Sequence, residues 1–154
     1  MPESLQLVVF NLDDQRYALH LPCVERAIRM VEITPLPKAP DIVLGLVNVH
    51  GQVMPVLNIR RRFRLPEREA DLGDQLIIAR TTRRRVALVV DTVNDVLALP
   101  PGELVAPETI LTQLEHVEGV VKLDDGMVFI QDLDRFLSLD EEQALEAALE
   151  KGNF

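Results

Sequence analysis

The chain has 154 residues, a mass of 17.3 kDa and a formal net charge of −9 from 16 basic and 25 acidic residues. At this size one ordinary domain, or two very small ones, buries roughly 68–70% of its unfolded surface. A content of 47% apolar and 27% charged residues excludes a disordered chain, a collagen-like rod and a coiled coil. The acidity, with a pI near 4.8, disfavours nonspecific binding to nucleic acid or to an anionic membrane surface.

In chain order, Met1-Pro2-Glu3-Ser4 lacks the basic and apolar regions of a secretory signal. Alternation and β-branched residues predict strands over 5–12 and 15–21 about an Asp13-Asp14 turn. The single cysteine, Cys23, rules out an internal disulfide and a cysteine-built zinc site and fits a reducing compartment. It follows Pro22 in an apolar stretch with no base in view, the setting of an inert buried thiol. Val24-Glu25-Arg26-Ala27-Ile28-Arg29 mixes apolar and charged residues, a composition common to strand-to-loop junctions and to contact surfaces.

Ile42 to Ile59 runs eighteen residues without a formal charge when His50 is neutral. Asn48, His50, Gly51, Gln52, Pro55 and Asn58 interrupt it, so the segment predicts a buried hairpin turning at His50-Gly51 rather than a membrane span. Asn58 then caps a short helix with the i,i+4 pair Ile59/Phe63. Nine of the sixteen basic residues lie between Arg60 and Arg85. With few aromatic residues for stacking, they predict a solvated helix face and hairpin turn, and suit an acidic protein partner better than nucleic acid.

Further strands are expected over 75–81 and 85–90, followed by a hairpin at Asp125-Gly126 and a cap at Asp132 before Leu133/Leu137. Ser138-Leu139-Asp140-Glu141 matches a capping box. Leu145, Ala148 and Leu149 then line one face of a last helix that ends at Gly152 and is acidic on its other face.

The chain also resembles itself. Displaced by 69 residues, Gln6-Leu7-Val8-Val9 matches Gln75-Leu76-Ile77-Ile78, and the register holds without a gap to Val24 against Val93. Displaced by 74, Gly45-Leu46-Val47-Asn48-Val49 matches Gly119-Val120-Val121-Lys122-Leu123, and Val56-Leu57-Asn58-Ile59 matches Ile130-Gln131-Asp132-Leu133. The difference of five marks an insertion in the second half. A five-stranded unit of about 60 residues cannot bury enough surface as a flat sheet, so each half is expected to curl into a small barrel. The expected organisation is one mainly β domain with subdomains at 5–65 and 74–137 and a helix over 138–151.

Handles for catalysis are scarce. Ser4 and Ser138 lie in no nucleophile elbow, and the seven glycines form no phosphate-binding run. His20, His50 and His116 have no metal-ligand spacing. Asp132/Asp134 and Asp91/Asp95 are formally acid–base pairs, but Asp132 is committed as a cap, and Asp91 and Asp95 read as turn formers beside Val93. No enzyme activity, cofactor or metal is expected.

Gly45-Leu46-Val47-Asn48-Val49-His50-Gly51-Gln52-Val53-Met54-Pro55-Val56-Leu57-Asn58-Ile59-Arg60 resembles the G-x-x-N-[LV]-R-G-x-[IV]-[LI]-P-[VI]-x-[DN]-[LI]-R motif of the CheW family, the coupling proteins of bacterial chemotaxis. Ala87 to Leu97 is similar to the family's G-[IL]-[VL]-V-D-x-V-x-[DE]-V-L segment, and the likeness extends from about Leu5 to Leu139. The resemblance implies two SH3-like barrels and a non-catalytic adaptor joining the regulatory domain of a chemotaxis histidine kinase to the cytoplasmic tip of a chemoreceptor. Such a protein is cytoplasmic, recruited to the inner face of the membrane without inserting into it, and has no nucleic-acid partner. A non-flagellar pathway such as twitching is the alternative setting. By this likeness the kinase contact falls on Val24, Arg26 and Ile28, and the receptor contact on Gly45, Asn48, His50, Gly51 and Val96. Two positions depart from the family pattern: His50 replaces an arginine, and Arg26 reverses the charge of a glutamate.

Overall fold

A computed structural model describes residues 5–99, 104–105, 117–123 and 126–151. The strands are β1 (Leu5–Leu12), β2 (Gln15–His20), β3 (Val24–Arg29), β4 (Val43–Val49), β5 (Gln52–Leu57), β6 (Gln75–Arg80), β7 (Arg85–Val90), β8 (Thr92–Leu99), β9 (Leu104–Val105), β10 (Val117–Leu123) and β11 (Gly126–Gln131). Helix α1 is Ile59–Arg62 and helix α2 is Leu139–Lys151, with 3-10 turns at Leu21–Cys23 and Leu133–Arg135. The predicted hairpins, caps and final helix are all present, although the residues 124 and 125 of the last hairpin turn, the loop over 100–111 apart from β9, and Gly152 lie outside the described residues.

Two sheets form, one ordered β8-β1-β2-β11-β10-β9 and the other β3-β6-β7-β5-β4. Both are small SH3-like barrels, here called A and B, but neither is a contiguous half of the chain. The expected division at 5–65 and 74–137 is therefore corrected. Barrel A takes β1 and β2 from the first repeat and β8, β10 and β11 from the second; barrel B takes β3, β4 and β5 from the first and β6 and β7 from the second. Barrel A also gains a sixth strand, β9, in the segment where the second repeat is five residues longer.

The duplication survives this exchange in detail. The parallel pair Val56↔Ala87 in barrel B recurs as Ile130↔Ala18 in barrel A. The antiparallel pair Ala27↔Ile77 recurs as Val96↔Val8, and even the bulge between Val24 and Arg26 has its counterpart between Val8 and Phe10. The shift between Val43 and Gly45 repeats between Val117 and Gly119.

The apolar residues explain why the barrels stay together. Leu7, Val9, Ala18, Val121, Val128 and Ile130 fill barrel A. Val47, Val49, Met54, Val56, Leu76, Ile78 and Ala87 fill barrel B. The largest cluster lies between them and includes Phe10, Tyr17, Leu57, Ile77, Leu88 and Phe136. Alternate residues of one strand serve different cores: in β6, Leu76 and Ile78 face into barrel B while Ile77 and Ala79 enter the shared layer. A strand buried on both faces reads as a continuous apolar run, which is the pattern of Leu76-Ile77-Ile78-Ala79.

Helix α2 adds Leu145 and Ala148 to the shared layer. Its capping box is formed, with Glu141 N–H donating to Ser138 Oγ (3.1 Å) and Ser138 N–H to Glu141 Oε1 (2.8 Å). Arg62 pairs with Glu141 at 2.5 Å and Arg84 with Glu142 at 3.1 Å. The helix is thus tied to barrel B at the start as well as packed along the face that carries Leu145 and Ala148.

Candidate functional site

Two strand edges and one hairpin carry the residues singled out in the sequence. β3 is the terminal strand of barrel B and, among the described residues, pairs only with β6. Val24 and Ile28 are half-buried, Val24 against the shared layer and Ile28 against the barrel B core, while Arg26 is exposed. Among the described residues neither Arg26 nor Arg29 has an ion-pair partner. Glu25 differs, because Arg85 Nε donates to its Oε1 at 2.8 Å while Arg85 Nη1 donates to Gln52 Oε1 at 2.6 Å.

The β4–β5 hairpin turns through His50 and Gly51, both with positive φ of +51° and +85°, the requirement of a two-residue type I′ turn. Asn48 Oδ1 accepts the Gly51 N–H at 2.9 Å and holds the turn, leaving the His50 ring exposed. Gly45 is buried, with φ +154°, and a Cβ there would lie 2.3 Å from the Thr34 carbonyl oxygen. That close approach is the bridge in which Thr34 N–H donates to Leu46 O (2.8 Å) and Leu46 N–H to Thr34 O (2.7 Å). Gly45 therefore shapes the edge of β4 rather than presenting a surface. Val96 is 53% exposed on β8, the terminal strand of barrel A. The residues expected to contact a receptor are thus divided, with Gly45, Asn48, His50 and Gly51 in barrel B and Val96 in barrel A.

The sequence reading missed the ionic cluster that joins the barrels. Arg60, only 7% exposed, donates through Nη2 to Asp13 Oδ1 (2.9 Å) and Asp91 Oδ1 (2.8 Å), and through Nη1 to the Pro66 carbonyl (3.0 Å). Asp91 Oδ2 accepts the Asp13 N–H at 2.7 Å, and its Oδ1 also accepts from Arg68 Nη2 at 2.6 Å. Arg68 reaches on to Asp74 at 2.7 and 2.9 Å. Asp13 belongs to the β1–β2 turn of barrel A and Arg60 to α1 beside barrel B, so the cluster spans the seam.

Two expectations are corrected here. Asp91 is the node of this network rather than a simple turn former, and Arg60, Arg62 and Arg84 are drawn out of solvent into ion pairs, whereas Arg61, Arg64, Arg68, Arg80 and Arg83 are exposed as expected. The available signal was Arg60 directly following the inward Ile59, at the rim of the buried helix stripe. Asp132 is a cap as expected, its side chain accepting the Asp134 N–H, and Asp134 accepts the Thr82 N–H at 2.8 Å. Cys23 is half-buried, donates to the His20 carbonyl at 3.0 Å, and has its thiol pKa pushed up by burial. Among the described residues no group of three or more metal-ligating side chains occurs, and no helix there is long and apolar enough to cross a membrane.

Burial opposes ionisation of Asp91, yet hydrogen bonds from Arg60, the Asp13 N–H and Arg68 outweigh it and hold the carboxyl below its ordinary range. Arg68 does the same for Asp74, and Ser138 with Arg62 for Glu141, again against burial. A carboxylate with a depressed folded pKa contributes stability above its unfolded pKa, about 3.9–4.3, and that contribution disappears as pH falls through the folded value. The urea midpoint is expected to drop below about pH 4. Titration of the midpoint from neutral to acid checks this, and an undiminished midpoint at acid pH contradicts it.

Paired SH3-like barrels with exchanged strands define a class of two-barrel domain. The chain belongs to the CheW-like domain family, whose sequence profile matches residues 6–141. It is 26% identical over 149 residues to the chemotaxis protein CheW of Treponema pallidum (strain Nichols), covering 93% of this chain and 88% of that protein. A relative with a different name, protein FrzA of Myxococcus xanthus, is 27% identical over 122 residues, with 79% and 76% covered. The crystal structure of the scaffolding protein TtCheW from Thermoanaerobacter tengcongensis superposes with a TM-score of 0.80 at 28% identity, covering 92% of this chain and 96% of that one.

Proposed function

We propose that this protein is a non-catalytic chemotaxis adaptor that couples the cytoplasmic tip of a chemoreceptor to the regulatory domain of a chemotaxis histidine kinase. The observation that carries this reading is the near full-length match to CheW scaffolds, on a body that presents separate exposed edges, β3 on barrel B and β8 on barrel A. Coupling requires only that one rigid body bind two partners with affinities that differ between signalling states. Val24, Arg26 and Ile28 are assigned to the kinase, and Gly45, Asn48, His50, Gly51 and Val96 to the receptor, with Gly45 acting through the shape of its strand. The protein then works in the cytoplasm, held at the inner face of the membrane by its receptor. A scaffold of a twitching or other chemosensory pathway is the second setting, with the likeness to a relative of a different name, FrzA, as its support.

Co-purification with the histidine kinases and receptor fragments of the same organism tests the reading; failure to bind any kinase regulatory domain would sink it. His50→Ala is expected to weaken receptor-tip binding about fivefold, the loss of roughly 1 kcal/mol of polar contact, while kinase binding stays within about twofold. Equal retention of both partners in pull-downs counts against the assignment of His50.

A further inference from the structure

The two free edges are related by the internal repeat, and their charges have diverged. Ala27 on β3 corresponds to Val96 on β8, each paired with the first strand of the other repeat. One residue earlier on each strand, Arg26 corresponds to Asp95, and both are exposed. The chain has thirteen arginines, and among the described residues only the guanidiniums of Arg26, Arg29, Arg64, Arg80 and Arg83 take part in no ion pair or side-chain hydrogen bond. Two of those five lie on β3. The one acid of that strand, Glu25, is held by Arg85. In a molecule of net charge −9, the β3 edge is therefore a local cationic strip with no strand paired to its outer side among the described residues. A charge that merely keeps an edge from pairing works with either sign, whereas free guanidiniums beside unpaired backbone groups suit a segment that offers both carboxylates and strand hydrogen bonds.

We infer that the β3 edge recognises an acidic extended segment on the kinase regulatory domain, and that Asp95 repels the same segment from the equivalent edge of β8. This rests on the reading of β3 as the kinase-facing edge. Opposite charges on two edges related by the repeat give a nearly two-fold molecule a direction, through attraction at one edge and repulsion at the other.

Calorimetric binding of the full-length protein to the kinase regulatory domain tests the inference, with Arg26→Glu, Arg29→Glu and, as a surface control, Arg64→Glu. The first two are expected to weaken binding about tenfold and the control less than about twofold, and wild-type affinity is expected to fall between roughly 50 and 300 mM salt. A carboxylate-to-lysine change on the partner is expected to restore binding of Arg26→Glu. All three positions are exposed, so unchanged thermal midpoints establish that the variants fold. If Arg26→Glu binds as well as wild type, or better, the inference is overturned. It is equally overturned if the substitution abolishes self-association seen by sedimentation and spares the kinase, because the occupant of β3 is then a second copy. If the wild type binds no kinase, the coupling reading fails and this inference with it, a result distinguishable because it precedes any effect of the variants.

Discussion

Arg60→Met is expected to lower the free energy of unfolding by about 2–4 kcal/mol, somewhat below the roughly 3–5 kcal/mol of removing one partner from a fully buried ion pair. The guanidinium answers two carboxylates and a backbone carbonyl at the seam between the barrels. Methionine fills much of the space of the aliphatic stem but leaves those acceptors without their donor. The figure sits below the full cost of an isolated buried charge because Asp91 keeps Arg68 and is a quarter exposed. Asp13→Asn is expected to cost less than about 1 kcal/mol, since the Asp13 side chain is 45% exposed and its interaction is shared with water. Urea denaturation of the two variants separates the cases. A loss below about 0.5 kcal/mol for Arg60→Met, the range of an ordinary surface change, would show that the cluster is incidental to the seam.

The second large effect concerns the two halves of the chain. If each half closed its own barrel, a fragment ending at residue 70 would retain a five-stranded unit and some cooperative structure. In the observed topology that fragment keeps β1 and β2 without β8 and β11, and β3 to β5 without β6 and β7. Residues 1–70 and 71–154 are each expected to be unfolded alone and to assemble into a native-like complex when mixed, because every missing strand is supplied by the other half. Far-UV circular dichroism of the separate and mixed fragments measures this. Cooperative unfolding of either fragment alone contradicts the exchange.

Much of the fold was legible because its signals are local. Alternation located β1, β2, β6 and β7 but not the edge strands β3 and β8, His50-Gly51 located a turn whose φ values only certain residues accept, and Asn58 and Asp132 marked the caps. The repeat was also legible, since strand, turn and cap matched together at fixed displacements. What could not be read was which copy of a strand pairs with which. Val56 beside Ala87 and Ile130 beside Ala18 satisfy the same pattern as pairings within each half, so exchange leaves no mark on the periodicity. The ionic seam was hidden for a related reason. A run of arginines looks solvated until the fold brings Asp13 and Asp91 to it from 47 and 31 residues away. Of the residues proposed for docking, the structure leaves Arg26, His50 and Val96 accessible while Gly45 turns out to shape a strand, a distinction that needs the position of Thr34.

The exchanged strands also dictate when this protein can fold. β1 pairs Leu5 with Leu99, and β2 pairs Ala18 with Ile130, so the first hairpin made by the ribosome has no complete sheet to join until the last hairpin has emerged. Contacts of such sequence separation make folding slow relative to helical domains of equal size. Until then the apolar β1 stands with β2 as an unpaired hairpin exposed to aggregation. Its survival in the cell depends on how quickly translation is completed and on what shelters that hairpin meanwhile.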